Sequence, residues 1–356
     1  MKRLVTMKLA PMGVALAAGT LMIADIANAQ SLGGFPIREP GAGASGSGAG
    51  GGKKSSKNGK TEIVVDDNGR GQYKTISAAL KDIAEGGVIY VKHGIYNESI
   101  ELTKSVFIEG DRGPGRGVEV RAPMNAPCLN FNPKKVTAHA VISNVSLQSR
   151  INSSADACVN VHQGVFSLKE SDVLGSGTRP AIKIAGGMAM LEKNRISAGS
   201  EGVSIEQSHS LSQSFIIDNK ILQNKVGVDI ASGSEADVVV AGNEIFDNLD
   251  SGIKSSGYGS AKLIGNKIRN NKGSGVILDK YAKLSLVRYN EIVQNSGDGV
   301  AIPFGVNGVI EDNDIVGNDG LSIFVRDGLQ PKITNNTVKN NGRDDCSRRD
   351  RRKGRC

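Results

Sequence analysis

Between Asn194 and Asn341 the chain writes one phrase seven times, Asn-x-Ile/Val, and in six of the seven a second asparagine stands five residues after the first. The leading asparagines are Asn194, Asn219, Asn243, Asn266, Asn290, Asn313 and Asn336, at steps of 23 to 25 residues. A period this constant belongs to stacked structural repeats, each too small to bury its own apolar face. A second phrase occurs in six coils, as Gly202-Val203, Gly227-Val228, Gly252-Ile253, Gly275-Val276, Gly299-Val300 and Gly320-Leu321. One period therefore holds two or three short strands and their turns.

No 3.6-residue apolar pattern runs through the period, so strand logic applies. Three residues before each repeat asparagine stands an apolar residue: Leu191, Ile216, Val240, Leu263, Val287, Ile310 and Ile333. Two residues after it stands another: Ile196, Ile221, Ile245, Ile268, Ile292, Ile315 and Val338. Such strands alternate inside and outside. Asparagine at the corner tolerates the left-handed backbone of a sharp bend, and its amide can bond to the same amide one coil away. Glycine is expected to do similar conformational work at the other corner. The architecture that meets these demands is an all-β, single-stranded right-handed parallel β-helix with coils about 4.8 Å apart. With 46 Gly, no Trp and 4% aromatic residues, the chain suits a narrow core of stacked aliphatic side chains.

The segments around the repeats are of a different kind. Lys2 and Arg3 precede an apolar stretch from Ala10 to Ile26, then Ala27-Asn28-Ala29, the pattern of a cleaved secretion signal over residues 1–29. Pro11 and Asp25 limit that run, and no later stretch is long and apolar enough for a membrane span in the mature chain. Export to the periplasm or the exterior is expected. Residues 30–60 are rich in Gly, Ser and Lys and read as a flexible basic linker. The β-helix is expected over 61–342, with Tyr73 to Leu80 as a short amphipathic helix that caps the open end of the stack. Residues 343–356 form a basic tail.

The opening coils carry a family likeness. Tyr73-Lys74-Thr75-Ile76, Gly86-Gly87-Val88-Ile89-Tyr90-Val91, Gly94-Ile95-Tyr96-Asn97-Glu98 and Val106-Phe107-Ile108-Glu109-Gly110 resemble the first coils of pectin methylesterases and of the wider pectin-lyase-like superfamily. The later Asn-x-Ile coils resemble the generic repeat of that superfamily, which includes polysaccharide lyases, polygalacturonases and alginate epimerases. The resemblance implies the fold and acidic polysaccharides as the substrate class. It carries no catalytic residues over, because the Asp-Phe-x-Phe-Gly, Leu-Gly-Arg-Pro-Trp and Asp-Pro-His-Asp elements of those enzymes are absent from this chain.

A search for a site of the chain's own finds an acidic cluster, Glu291, Glu311, Asp312 and Asp314, with Arg288 beside it. Calcium bridges such carboxylates in a lyase, and only in that case is a cofactor implied. The competing reading is structural. The position after each repeat asparagine runs Arg195, Lys220, Glu244, Lys267, Glu291, Asp314, a column whose signs alternate over much of its length and suit cross-strand pairs of a few tenths of a kcal/mol each. His93, His139, His162 and His209 show no metal-ligand spacing, so no metal site is expected. Four residues before each asparagine come Met190, Phe215, Val239, Lys262, Leu286 and Val309. Facing outward, these make an exposed apolar stripe for a homo-oligomer or for the linker; a bent strand would instead tuck them under a loop.

The formal charge of +8 resides in the appendages, with +2 in residues 1–29, +4 in 30–60 and +4 in 343–356, which leaves −2 for 61–342. The solenoid is therefore no nucleic-acid surface, and the tails point to an anionic partner such as a polysaccharide or the cell envelope. Cys346 and Cys356 bracket Arg348, Arg349, Arg351, Arg352, Lys353 and Arg355, a cluster that offers bidentate contacts to carboxylate, phosphate or sulfate. Closing that loop is worth roughly 3 kcal/mol. Cys128 and Cys158 fall at equivalent places in successive coils, and the expected disulfides are Cys128 with Cys158 and Cys346 with Cys356. Three functions remain open: a binder of anionic glycan without catalysis, a lyase, esterase or epimerase on acidic glycan, and an assembly protein.

Overall fold

The computed structural model describes residues 59–342 apart from 113–116, 208–212, 232–236, 280–284 and 305–307. Of the two units into which the chain divides, Met1–Lys57 and Asn58–Cys356, the second holds all described residues. Three parallel sheets of 12, 11 and 10 strands run along it, and neighbours in each sheet belong to successive coils. One coil contains Met188–Glu192 in the 12-stranded sheet, Arg195–Ser197 in the 11-stranded sheet and Glu201–Ile205 in the 10-stranded sheet. Gln213–Ile217 then returns to the first. The result is a right-handed parallel solenoid of about 11 turns.

Each inward column is a stack of like side chains. Val173, Ile196, Ile221, Ile245, Ile268, Ile292 and Ile315 succeed one another in register and are at most 1% exposed. Burying a side chain of this size stabilises by about 1.5–3 kcal/mol. The β-branched shape suits a strand that packs on its own copies above and below.

Two asparagine ladders tie the corners together. Asn266 shows the unit: its Nδ2 donates to Asn290 Oδ1 at 2.9 Å and to Val240 O at 2.8 Å, and its Oδ1 accepts from the backbone N and the Nδ2 of Asn243, each at 3.0 Å. The first ladder runs from Asn194 to Asn336, and the second from Asn224 to Asn341. The left-handed residue of each corner is not the ladder asparagine, however, but the one before it: Lys193, Asp218, Gly242, Gly265, Tyr289, Asp312 and Asn335. A ladder asparagine needs its side chain aimed along the stack, and its neighbour absorbs the bend.

The repeat glycines also act differently from expectation. Gly202, Gly227, Gly252, Gly275 and Gly299 have ordinary φ, but a Cβ on any of them would lie 2.4–2.6 Å from the Cγ2 of an isoleucine one coil on. They provide room, and the second ladder makes the corner.

β1 (Lys60–Val65) and β2 (Ile83–Val91) open the stack, with α1 (Ile76–Asp82) between them. The helix starts later than Tyr73 because Thr75 caps it, its Oγ1 accepting from Ala78 N at 3.2 Å. Glu98 accepts from Ile76 N and Ser77 N, both at 2.8 Å, and so satisfies two further orphan donors. Ile76 and Ala79 face the core and close the end of the stack. The disulfide Cys128–Cys158 joins adjacent coils, with Cα atoms 4.8 Å apart. Cys346 and Cys356 lie outside the described residues.

The outward column Met190, Phe215, Val239, Lys262, Leu286 and Val309 is in register as expected. It is not an open stripe, since Phe215 and Val239 are each only 4% exposed. Beside them Ile217, Ala241 and Ile264 are also buried, so the withdrawn part is confined to these strands, while Met190, Lys262, Leu286 and Val309 are partly exposed.

Candidate functional site

The acidic cluster read from the sequence is split between two sheets. Arg288 Nε lies 3.4 Å from Glu311 Oε1 and 3.2 Å from Asp312 Oδ2, and its guanidinium stacks over the Tyr289 ring at 4.4 Å. Glu311 also meets Lys332 at 3.6 Å. Glu291 and Asp314 sit side by side on the 11-stranded sheet instead. Arg288 is engaged in holding this corner, and no group of three or more metal-ligating side chains occurs among the described residues. The column Arg195, Lys220, Glu244, Lys267, Glu291, Asp314 stands in register. Within it no ion pair closes among the described residues; Glu244 instead meets Arg269 at 4.0 Å, in the next outward column. Exposed charges one coil apart gain too little to fix long side chains in one rotamer.

A shallow depression of about 380 Å³ lies at the corner of the 12- and 11-stranded sheets, lined by Lys193, Arg195, Lys220, Glu170, Asp172 and Asp218. Its three cations and three carboxylates balance. Burial pushes the Asp218 carboxyl above the usual range while Lys193 opposes the shift.

Chemistry converges on the outer face of the 10-stranded sheet. Its central outward row is continuous in register over ten coils: Glu101, Asn130, Asn160, Lys183, Ser204, Asp229, Lys254, Ile277, Ala301 and Phe324. The strands are three to five residues long, so each contributes one such side chain between two inward ones, on a step of about 4.8 Å. Seven polar residues are succeeded by three apolar ones.

The polar part holds two separate clusters. Asn130 Nδ2 donates to Glu101 Oε2 at 2.8 Å, which turns Asn130 Oδ1 toward His162 Nε2, also at 2.8 Å. An amide oxygen only accepts, so His162 donates from Nε2. Lys183 Nζ lies 3.1 Å from Glu206 Oε2 and 3.5 Å from Asp156 Oδ2. Burial works against its charge, but the Glu206 hydrogen bond and both carboxylates outweigh it and hold the ammonium above the ordinary lysine range. Ser204 Oγ donates to Glu206 Oε1 at 3.3 Å.

Asp229 stands outside both clusters. Its Oδ1 is buried without a hydrogen-bond partner, as is Asn160 Oδ1 three coils earlier. Burial raises the Asp229 carboxyl to about 6; Lys254 opposes that shift, and Glu201 and Glu206 add to it. A buried oxygen left unpaired is costly and marks a place where a donor is wanted. A carboxyl held near neutrality is available for proton transfer.

Of the residues expected to form a site, Arg288 gathers only Glu311 and Asp312, and the basic residues Arg348 to Arg355 lie outside the described residues. The row on the 10-stranded sheet was missed because its later members stand five or six residues past the second asparagine of each pair, away from the residues that set the period. The signal was present in the phase of the repeat: the residue after the apolar partner in Gly-Val or Gly-Ile reads Ser204, Asp229, Lys254, Ile277 and Ala301 down the stack.

Comparison with known proteins agrees with this architecture. A family described as "Right handed beta helix region" matches residues 157–276 and 255–350, together more than half of the chain. Among solved structures, ORF18 of Geobacillus virus E2 is 13% identical with a TM-score of 0.58, covering 75% of this chain and 56% of its own. The A-module of the Azotobacter vinelandii mannuronan C-5 epimerase AlgE4 is 16% identical with a TM-score of 0.53, covering 74% of this chain and 88% of its own. The Dettilon tailspike protein (gp208) is 13% identical at TM-score 0.53, covering 72% of this chain and 56% of its own. A 51-residue stretch is 43% identical to the Arabidopsis thaliana "Probable pectinesterase/pectinesterase inhibitor 58", over 13% of this chain and only 9% of that protein. These likenesses are of fold, and the family match covers the coils from the strand Val159–Val161 onward. The chain belongs to the right-handed beta helix region family.

Proposed function

We propose that this chain is an exported polysaccharide-binding solenoid that holds an extended anionic glycan along the outer face of its 10-stranded sheet without cleaving it. The observation that carries the reading is the row itself. A linear polymer of repeating sugars is matched by a linear array of hydrogen-bonding side chains, one per coil, and two buried oxygens in that array, on Asn160 and Asp229, have no partner. Sugar hydroxyls are the donors such oxygens take. The mannuronan epimerase and the pectinesterase among the similar proteins act on polymers of this class by name. The preference for an anionic glycan comes from the basic tail, where Arg348, Arg349, Arg351, Arg352, Lys353 and Arg355 act as a clasp on the solenoid's ligand.

The test is a binding panel of the full chain against polygalacturonate, methylated pectin and alginate, with unsaturated product, methanol and reducing ends measured in parallel, with and without calcium. Retention without turnover, weakened by salt and by deletion of residues 343–356, supports the proposal. Absence of binding to every glycan sinks it. Asp229 favours a second reading, an enzyme on the same polymers, because a carboxyl raised to about 6 serves as a general acid or base near neutral pH. Turnover that Asp229→Asn abolishes while binding persists would establish the enzyme.

A further inference from the structure

The polar row ends at Lys254, and beyond it lies a floor of a different kind. Ile277, Ala301 and Phe324 continue it in register for three coils, which is about 14 Å at 4.8 Å per coil. At the far end the Arg326 guanidinium lies over the Phe304 ring, 5.1 Å from its centroid, and Arg326 Nη1 donates to Pro303 O at 3.5 Å. Phe304 is 43% exposed. A cation stacked on an exposed ring makes a flat surface, apolar on its face and charged at its edge.

Cations stand at the two ends of this floor: Lys254, with the Asp229 carboxyl one coil before it in electrostatic reach, and Arg326. Neither Lys254 nor Arg326 forms an ion pair among the described residues, although Asp327 comes directly after Arg326 in the chain. Asp229, raised to about 6 by burial, still carries charge at neutral pH but closes no ion pair with Lys254. Asp279, on the adjoining column, is itself already engaged. Elsewhere on this sheet the pattern is the reverse, since Lys183 is held between two carboxylates.

Resting on the polysaccharide reading, we propose that this distal segment is the subsite that selects the glycan: an acidic oligosaccharide lays the apolar faces of its rings on Ile277 and Phe324, with the buried Ala301 between them, and pairs its carboxylates with Lys254 and Arg326. The charge complementarity commits the floor to an anionic sugar. A neutral glycan would leave Arg326 unanswered, and an apolar peptide would bury both cations at a cost. Phe304 extends the stacking surface, and Arg326 presents a planar fork to a carboxylate.

The experiment measures affinities of the full chain for oligogalacturonate and for its fully methyl-esterified, uncharged counterpart by calorimetry, for wild type and for Arg326→Ala, Phe304→Ala and Lys183→Ala. The side chains of Phe304 and Arg326 are exposed, so both variants are expected to keep the wild-type melting midpoint. The expected result has three parts: Arg326→Ala loses about tenfold on oligogalacturonate and nothing on the ester, Phe304→Ala loses on both, and Lys183→Ala leaves the charged-over-ester preference intact. If Arg326→Ala and Phe304→Ala bind oligogalacturonate like wild type while Lys183→Ala does not, the ligand lies on the polar half; this inference is then overturned and the polysaccharide reading stands. If wild type binds neither oligosaccharide nor any polymer of the panel, both fall. Equal wild-type affinity for acid and ester overturns the carboxylate assignment.

Discussion

At a ladder asparagine, one amide performs four tasks that no other side chain combines. Asn266 donates to the coil on either side and accepts twice, fully buried. Removing it strands the buried backbone N–H of Asn243, so Asn266→Ala is expected to cost about 2–4 kcal/mol in urea unfolding, while Asn336→Ala, in the last, half-exposed rung, costs much less. Aspartate has no amide donor to offer, so Asn266→Asp should be worse than alanine. The glycines obey steric rules of the same local kind. Gly275→Ala places a methyl 2.4 Å from Ile292 Cγ2 and 2.8 Å from Gly299 O, and overpacking of this sort costs about 1–3 kcal/mol. Gln294 is strained instead by its left-handed φ of 54°, in a place where Gly317 serves one coil later, so Gln294→Gly should gain roughly 0.5–1 kcal/mol. Asp229 binds its proton more tightly when folded, at about 6 against the ordinary 3.8. Its stabilising contribution is therefore complete below the unfolded value and is lost as pH rises through the folded one. A shift of about two pH units corresponds to about 2–3 kcal/mol. Melts of wild type and Asp229→Asn should agree near pH 4 and diverge by pH 7, with the variant the more stable. Curves parallel from pH 4 to 7 would contradict the burial of this carboxyl.

Each strand is far too short to stand alone and is defined by its two neighbours in adjacent coils. The disulfide reinforces one such neighbour relation at the head of the strands Leu129–Phe131 and Val159–Val161, with both cysteines at most 1% exposed. It closes a sequence separation of 30 residues, for which chain entropy predicts about 3–4 kcal/mol. Replacing Cys128 and Cys158 by alanine together should lower the unfolding midpoint accordingly, and reduction of the native protein should be slow without denaturant. The strand Ile253–Ser255 carries a flaw in its inward column, where Ser255 stands between Ile230 and Leu278 with a buried hydroxyl that has no partner. Ser255→Ala removes that orphan and should be neutral or stabilising by up to about 1 kcal/mol in thermal melts. The capping helix shows how little sequence is needed to finish the stack: Thr75 and Glu98 satisfy its N-terminus, and two side chains plug the core.

Across the whole solenoid, stability is close to a sum of coils and interfaces between neighbours, so damage stays local. In Asn266→Ala, amide exchange should accelerate first in the coils from Asn243 to Asn290 and leave those before Cys158 protected; uniform acceleration would mean that the stack unfolds as one unit. The two ends are protected differently, with α1 at the start and Lys332 and Lys339 on the last strands, charges that discourage edge-to-edge association. By itself the sequence determined the β-helix, its period, the inward columns, the first asparagine ladder and the Cys128–Cys158 pair, because each depends on spacing along the chain and the coil repeats that spacing. The charge of the appendages was equally plain, since composition suffices for it. Only the tertiary structure decided which residue takes the left-handed bend, why the repeat glycines are glycine, and that Phe215 and Val239 are withdrawn from solvent. It alone assembled the row from Glu101 to Phe324, whose successive members are 21 to 30 residues apart and share nothing but their outward place on the strand. The periodic residues build the stack and must repeat to do so; the residues that give a face its chemistry differ from coil to coil, and stacking alone makes them neighbours.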